Sequence, residues 1–331
     1  MTKIIKIILI GLLFACIPAR AQSVRYTISP VNAETVLKVE NIRSSVEYLS
    51  DPSLGGRATG TDGARKASVW LSDQFRSMGM KPLGGAWTHG FRTGGGLFGR
   101  NVIGLLSGNS DTPHYIVLMA HYDNLGTLNG TFYPGADSNA SGVAALVEVA
   151  RMFSYMKNIR RKYGASLLVV ALDGKEKDLS GANELWRQLE QQKLLDPVTG
   201  KAIGPGDISL VVNLDQLGAT LSPLTKGNPN YLMMLCEEGS GRRSILESVN
   251  KAQHIDLELA YDYYGSKDFT SLFYRRISDQ KVFLDQGIPA VMFTSGITLL
   301  NNKPEDTPSS LDYDVMRKRI QLIFYYLDKV L

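Results

Sequence analysis

Cysteine is nearly absent from this chain, with Cys16 and Cys236 the only two in 331 residues, which excludes a disulfide framework and any cysteine-rich metal cluster. Histidine is almost as scarce. His89, His114, His121 and His254 complete the set, so a metal site here would have to be built mainly from carboxylates. Neither charge sign dominates: 36 basic residues face 32 acidic ones, and without residues 1–21 the balance is 33 to 32. A nucleic-acid surface gets no support from that balance. No repeat or low-complexity linker divides the chain, and beyond residue 18 no apolar run approaches the roughly 20 residues of a bilayer span. What is present is 44% hydrophobic, enough to bury a large core without covalent staples.

The N-terminus has an address of its own. Lys3 and Lys6 give a basic start to the apolar run Ile4 to Pro18, and Ala19-Arg20-Ala21 forms an A-x-A site before Gln22. This pattern reads as a secretory signal peptide over residues 1–21, with one domain from 22 to 331. Export to a periplasm, cell envelope or extracellular space is the expected localisation. Leu13-Phe14-Ala15-Cys16 loosely resembles a lipobox, which offers a lipid anchor at Cys16, although Phe14 fits that pattern poorly. Cys236, in YLMMLCE, reads as a buried strand residue.

From Asn101 onward, apolar runs alternate with helical periodicity. Strands are expected near Val102–Leu106, Tyr115–Ala120, Ser166–Leu172, Ile208–Leu214, Tyr231–Cys236 and Ala290–Thr294. Helices are expected near Asn32–Tyr48, Gly63–Met78, Ser141–Met156, Gly181–Gln192, Arg242–Ala252 and Ser310–Val330. Such alternation defines an α/β fold, three layers with helices on both faces of a mixed, mostly parallel sheet. Asp196 to Asp207, with Pro and Gly at turn positions, reads as a surface loop or hairpin. Gly94, Gly96 and Gly99 satisfy G-x-G-x-x-G, but they precede a strand rather than linking a strand to a helix, so no helix N-terminus is there to meet a phosphate.

The segment from Val117 to Arg151 carries the chemistry. His121 stands where an apolar strand leaves the core, Asp123 follows two residues later, and Asp137 stands just before a helical pattern. Glu176 and Asp215 follow the next two strands in the same way. Singly, such a histidine is a polar strand terminus and such an aspartate is an N-cap. Together, His121, Asp137, Glu176 and Asp215 share one rim suited to a hard or borderline dication.

LGGRATGTDGARKASVWLSDQFRSMGMKP, HYD, PGADSNASG, NLDQLG, SDQKVFLDQGIPAVMFTSG and PEDT occur in order between about Ile42 and Ile323. This series resembles the secreted di-zinc aminopeptidases, the group that includes aminopeptidase Y and the glutamate carboxypeptidases, with glutaminyl cyclases as relatives. The resemblance implies a zinc exopeptidase-like fold and removal of N-terminal residues from peptides. It also implies roles: His121, a bridging Asp137 and Asp215 at one metal, Asp137, Glu176 and a last histidine at the other, and Asp123 as the carboxylate that fixes the tautomer of His121.

Three positions depart from the family pattern. Where the family has adjacent glutamates, this chain reads ALDGKEKDLSG, which puts Lys175 at the general-base position and Glu176 at the ligand position. Where the last histidine is expected, two residues before Pro304, stands Asn302, a poor zinc ligand. The family's SDH has become Ser278-Asp279-Gln280. Loss of a general base costs on the order of 10²- to 10⁴-fold in rate. A lysine ammonium about 4 Å from a zinc ion would be repelled by roughly 8 kcal/mol at an effective dielectric near 20.

The expected cofactor is therefore one zinc ion or none rather than two, with the Lys175 ammonium filling the charge vacancy and pairing with Glu176 and Asp137. The partner is a peptide, either as substrate of a weakened exopeptidase or as ligand of a binding protein that kept the fold. A single-zinc acyltransferase of the cyclase type needs the same missing base and histidine. For specificity, aromatic residues of two loops, Phe132, Tyr133, Tyr263, Tyr264 and Phe269, are candidates for an apolar pocket.

Overall fold

The structure, a computed structural model, describes residues 28–110, 114–220, 228–263 and 265–331. The expected signal peptide, Cys16 and Tyr264 lie outside them. Among the described residues thirteen strands occur in chain order: β1 Lys81–Pro82, β2 Thr88–Arg92, β3 Phe98–Leu106, β4 Tyr115–His121, β5 Gly126–Leu128, β6 Thr131–Tyr133, β7 Ser166–Leu172, β8 Leu194–Leu195, β9 Ala202–Ile203, β10 Ile208–Leu214, β11 Tyr231–Cys236, β12 Glu258–Ala260 and β13 Ala290–Thr294. The helices are α1 Val39–Leu49, α2 Asp62–Ser77, α3 Gly142–Asn158, α4 Ser180–Glu190, α5 Arg242–Ala252, α6 Lys267–Leu272, α7 Lys281–Leu284 and α8 Tyr313–Val330.

Nine strands form one sheet in the order β1-β3-β7-β4-β10-β13-β11-β12, with β2 also on β3. The middle four, β7, β4, β10 and β13, are parallel, and antiparallel pairings enter on both flanks at β3 and β11. Every residue of β4, β7 and β11 is buried, as strands covered on both faces must be. One core, formed by α1, α2, α3, α5 and α8, covers one face. A second, with Leu185 of α4 and Phe283 of α7, covers the other. This is the expected three-layer α/β architecture.

Sequence periodicity places the main helices within a few residues of their observed ends. The expected helix Asn32–Tyr48 is broken, however, into a 3-10 turn, Pro30–Val36, and α1, because Leu37 and Lys38 are extended. Residues 194–203 form the hairpin of β8 and β9. The Gly-rich decoy is the turn between β2 and β3, with Gly99 inside β3. Cys236 closes β11 and is buried. Among the described residues no helix is long and apolar enough to cross a membrane.

Candidate functional site

The parallel strands deliver their following residues to one rim, as the carboxyl ends of such strands do. His121 ends β4, Lys175 and Glu176 follow β7, and Asp215 follows β10. Asn139 ties the rim together. Its Nδ2 donates to the carbonyls of His121 and Leu214, at 3.2 and 2.9 Å, and its Oδ1 accepts from the N–H groups of Gly142 and Gln216. Arg57 of the LGGR segment, fully buried, donates to the carbonyls of Tyr122, Pro134 and Gly135 at 2.8–2.9 Å and to that of Leu49. It thereby fixes the two segments that carry Asp123 and Asp137. Gly56 precedes it with φ +73°, and a Cβ there would lie 2.6 Å from the Tyr133 carbonyl oxygen.

His121 is fully buried, and its Nδ1–H donates to the backbone carbonyl of Asp123 at 3.0 Å, with that residue's carboxylate at 3.6 Å. The Asp123 carboxylate, beside the imidazole, has a second task that sequence does not show. Its Oδ1 accepts from the N–H of Lys175 and its Oδ2 from the N–H of Glu176, both at 3.0 Å. Asp123 therefore holds the loop after β7, and its main chain orients the imidazole. Thr59 donates to Asp173 at 2.8 Å and approaches Asp123 at 3.4 Å. Burial, with Asp123 beside it, raises the Asp173 carboxyl to about 7.

His121 Nε2 lies 3.5 Å from Asp215 Oδ1, and neither atom has a hydrogen-bond partner among the described residues. With Nδ1 already donating, Nε2 faces a carboxylate only if a proton or a metal lies between them. Burial and the Lys175 charge favour the neutral ring, but Asp123 and Asp215 outweigh both and raise His121 to about 10. Burial would raise Asp215, yet Lys175 and then His121 hold it down at about 2. Asp279 is fully buried with both oxygens unpartnered, and burial, only partly offset by His121 and Lys175, raises it to about 7.

Lys175 points inward. Its Nζ lies 3.3 Å from Glu176 Oε1, and the two side chains are 18% and 23% exposed. Burial opposes its charge, but Asp215, Glu176, Asp279 and Asp123, in that order, raise it above the ordinary lysine range. Lys175 and His121 thus stand among four carboxyl groups, those of Asp123, Glu176, Asp215 and Asp279.

Asp137 has other obligations. Its Oδ1 accepts from Gly218 N–H at 2.8 Å and from the Ser141 hydroxyl at 2.9 Å, and burial, reinforced by Asp306, raises it to about 7. Asp306 of PEDT in turn accepts from the N–H groups of Asp137 and Ser138. The expected pairing of Lys175 with Asp137 gives way to Asp215 and Asp279.

The donor set meets a zinc ion only in part. Two donors each about 2.0–2.2 Å from a tetrahedral zinc stand roughly 3.3 Å apart, close to the 3.5 Å between His121 Nε2 and Asp215 Oδ1. A third is wanting. Among the described residues no three His, Cys, Asp or Glu side chains converge to hold a metal ion. The expected set of His121, Asp137 and Asp215 contributes two convergent members, and Glu176 faces an ammonium.

A cleft of about 640 Å³ opens over Lys175, Glu176 and Asp215, walled by Trp186, Tyr263 and Phe273. Asn302 lines it in the left-handed conformation, φ +58°. Tyr263, one of the expected specificity aromatics, is buried against Phe273 at 4.5 Å. Gln280 has turned away into the core, where its amide donates to the carbonyls of Phe273 and Tyr274 and its oxygen accepts from Asn213. Sequence reasoning missed the roles of Asn139, Arg57 and Asp279. The first two act on main-chain atoms, which leave no pattern in side-chain spacing, whereas Asp279 was visible in the altered SDH.

A mixed sheet with parallel centre, two helical layers and a carboxylate–histidine rim at its strand ends defines a protein of the zinc exopeptidase class. The chain belongs to Peptidase family M28, whose profile matches residues 101–327. A zebrafish (Danio rerio) protein named BOS complex subunit ncln is 35% identical over 161 residues, covering 46% of this chain and 25% of its own length. A probable zinc metalloprotease of Pyricularia oryzae is 25% identical over 247 residues, 68% of this chain and 46% of its own. The chain thus spans a quarter to under half of these two relatives. Among solved structures, the Legionella pneumophila LapA aminopeptidase superposes with TM-score 0.70 at 16% identity, covering 91% of this chain and 74% of its own. Porphyromonas gingivalis glutaminyl cyclase gives 0.64 at 18% identity, covering 89% and 99%. At those identities the structural likeness establishes the fold.

Proposed function

We propose that this protein is an exported M28-family peptide-binding protein in which hydrolysis of N-terminal residues is strongly weakened or lost. One observation carries the reading: the Lys175 ammonium, directed into the cleft among Asp215, Glu176, Asp279 and Asp123. Family membership supports a peptide as ligand, and the open cleft over these residues supports its retention. Lys175 at the position of a general base is protonated and has no lone pair to take a proton from water. Exclusion of a second zinc ion follows from the same charge. The relative named as a subunit of a complex is consistent with a fold retained for binding.

A second reading, a slow exopeptidase with one zinc, is favoured by the unpartnered pair His121 Nε2 and Asp215 Oδ1. In it, His121 and Asp215 would hold the ion, which would polarise a peptide carbonyl. Metal analysis at neutral pH separates the two: no zinc supports the binder, one per chain the slow enzyme, and two would sink both. Aminoacyl chromogenic substrates should be turned over on the order of 10²-fold or more slowly than by a family member with an intact base. The double variant Lys175→Glu with Asn302→His should raise zinc occupancy, and an unchanged metal content would contradict the roles given to both positions.

A further inference from the structure

β11 runs against β13 but parallel to β12. The carboxyl ends of β11 and β12 therefore open on the opposite edge of the sheet from the rim of His121 and Asp215. Ligands of open α/β sheets collect outside strand carboxyl ends, and a cavity of about 560 Å³ lies at this second set. Leu235 and Cys236 of β11, Tyr261 just after β12, and Tyr274 give it apolar walls. α6 and the π-helical turn Phe273–Ile277 stand between the two cavities, with Phe273 and Arg276 in the cleft and Ser271 and Arg275 in this one.

The charged lining is balanced, with Arg243, Lys267 and Arg275 against Glu237, Glu238 and Asp262. These charges barely neutralise one another. Arg275 meets Glu237 only at 3.9 Å, and Asp262 accepts from Gly265 N–H. Arg243, Lys267 and Glu238 form no ion pair among the described residues. Arg243 lies over the Tyr261 ring at 4.8 Å with its Nε–H buried and without a hydrogen-bond partner among the described residues, and Arg275 lies over Tyr274 at 5.5 Å. A guanidinium backed by an aromatic ring is set to receive a carboxylate in its free plane.

We propose that this cavity is a binding site for a small zwitterion with an apolar side chain, a free amino acid or a dipeptide. Its carboxylate meets Arg243, its ammonium meets Glu238, and its side chain packs on Tyr261 and Tyr274. A ligand of one charge would leave a lining charge of the other sign unanswered, and the volume is that of a small-molecule site. The site is separate from the cleft and independent of whether the cleft hydrolyses peptides.

Cys236 lines the cavity at 8% exposure, so its alkylation, followed at that residue by mass spectrometry, reports this cavity and not the cleft. In the full chain, L-leucyl-L-phenylalanine should slow Cys236 alkylation saturably. N-acetylation or C-amidation of the dipeptide should raise the half-protecting concentration about tenfold or more, as loss of a charge-assisted hydrogen bond does. Arg243→Ala should do the same, with Arg243→Lys intermediate, while Asp215→Asn in the cleft should leave protection within about twofold. Absence of protection in the unmodified chain, equal protection by blocked dipeptides, or protection lost on Asp215→Asn but kept on Arg243→Ala would each overturn the assignment.

Discussion

Removing an ammonium from among Asp215, Glu176, Asp279 and Asp123 leaves buried carboxylates facing one another, and truncating one side of a buried ion pair costs about 3 kcal/mol. Lys175→Met should lose about that much in urea unfolding at pH 8. It should lose less at pH 5, where Asp279, already raised to about 7, carries its proton in both proteins. A loss below about 0.5 kcal/mol at pH 8 would mean that the lysine is a solvated arm. The place of Lys175 after β7 was legible in the sequence from ALDGKEKDLSG, but the direction of its ammonium was not, because register fixes position and not side-chain orientation. The duty of Asp123 was not, because its acceptors serve the main-chain N–H groups of Lys175 and Glu176, and any residue type presents those.

At the scale of elements, continuous apolar runs made β3, β4, β7, β10, β11 and β13 readable, whereas β1, β5 and β12 span two or three residues and offer no period. The break between Pro30–Val36 and α1 was hidden because Leu37 and Lys38 fit helical spacing while their backbone is extended. Gln280 shows how an altered motif residue becomes structural. It joins β10, through Asn213, to the carbonyls of Phe273 and Tyr274 beside the cleft. Each buried polar group left unpaired costs about 1–3 kcal/mol. Gln280→Ala should therefore destabilise the chain by about 3 kcal/mol by calorimetry and speed amide exchange in Phe273–Ile277. Unchanged exchange there would show the contact to be dispensable. Arg57→Ala, which strips donors from four carbonyls, should cost at least as much.

For the whole molecule, proton uptake on folding has one prevailing sign. His121 is raised from 6.5 to about 10, so its contribution is fully present below pH 6.5 and lost as pH rises through 10. Asp137, Asp173 and Asp279, raised from 3.8 to about 7, keep protons that the unfolded chain has released, so they too favour the fold on the acid side. Asp215, lowered to about 2, works the other way, and its contribution disappears as pH falls from 3.8 through 2. The urea midpoint of metal-free protein should therefore peak near pH 4, where the gain from Asp215 is complete and the loss from the three raised carboxyls begins, and decline steadily to pH 9. A midpoint flat or rising between pH 6 and 9 would contradict an imidazolium at His121.

The grip of Asp123 on the loop after β7 passes through peptide nitrogens alone. Those nitrogens are present whatever side chain stands at 175, so the path of the loop does not depend on that side chain. The course of the loop is thus decoupled from the charge that its side chains bring to the cleft.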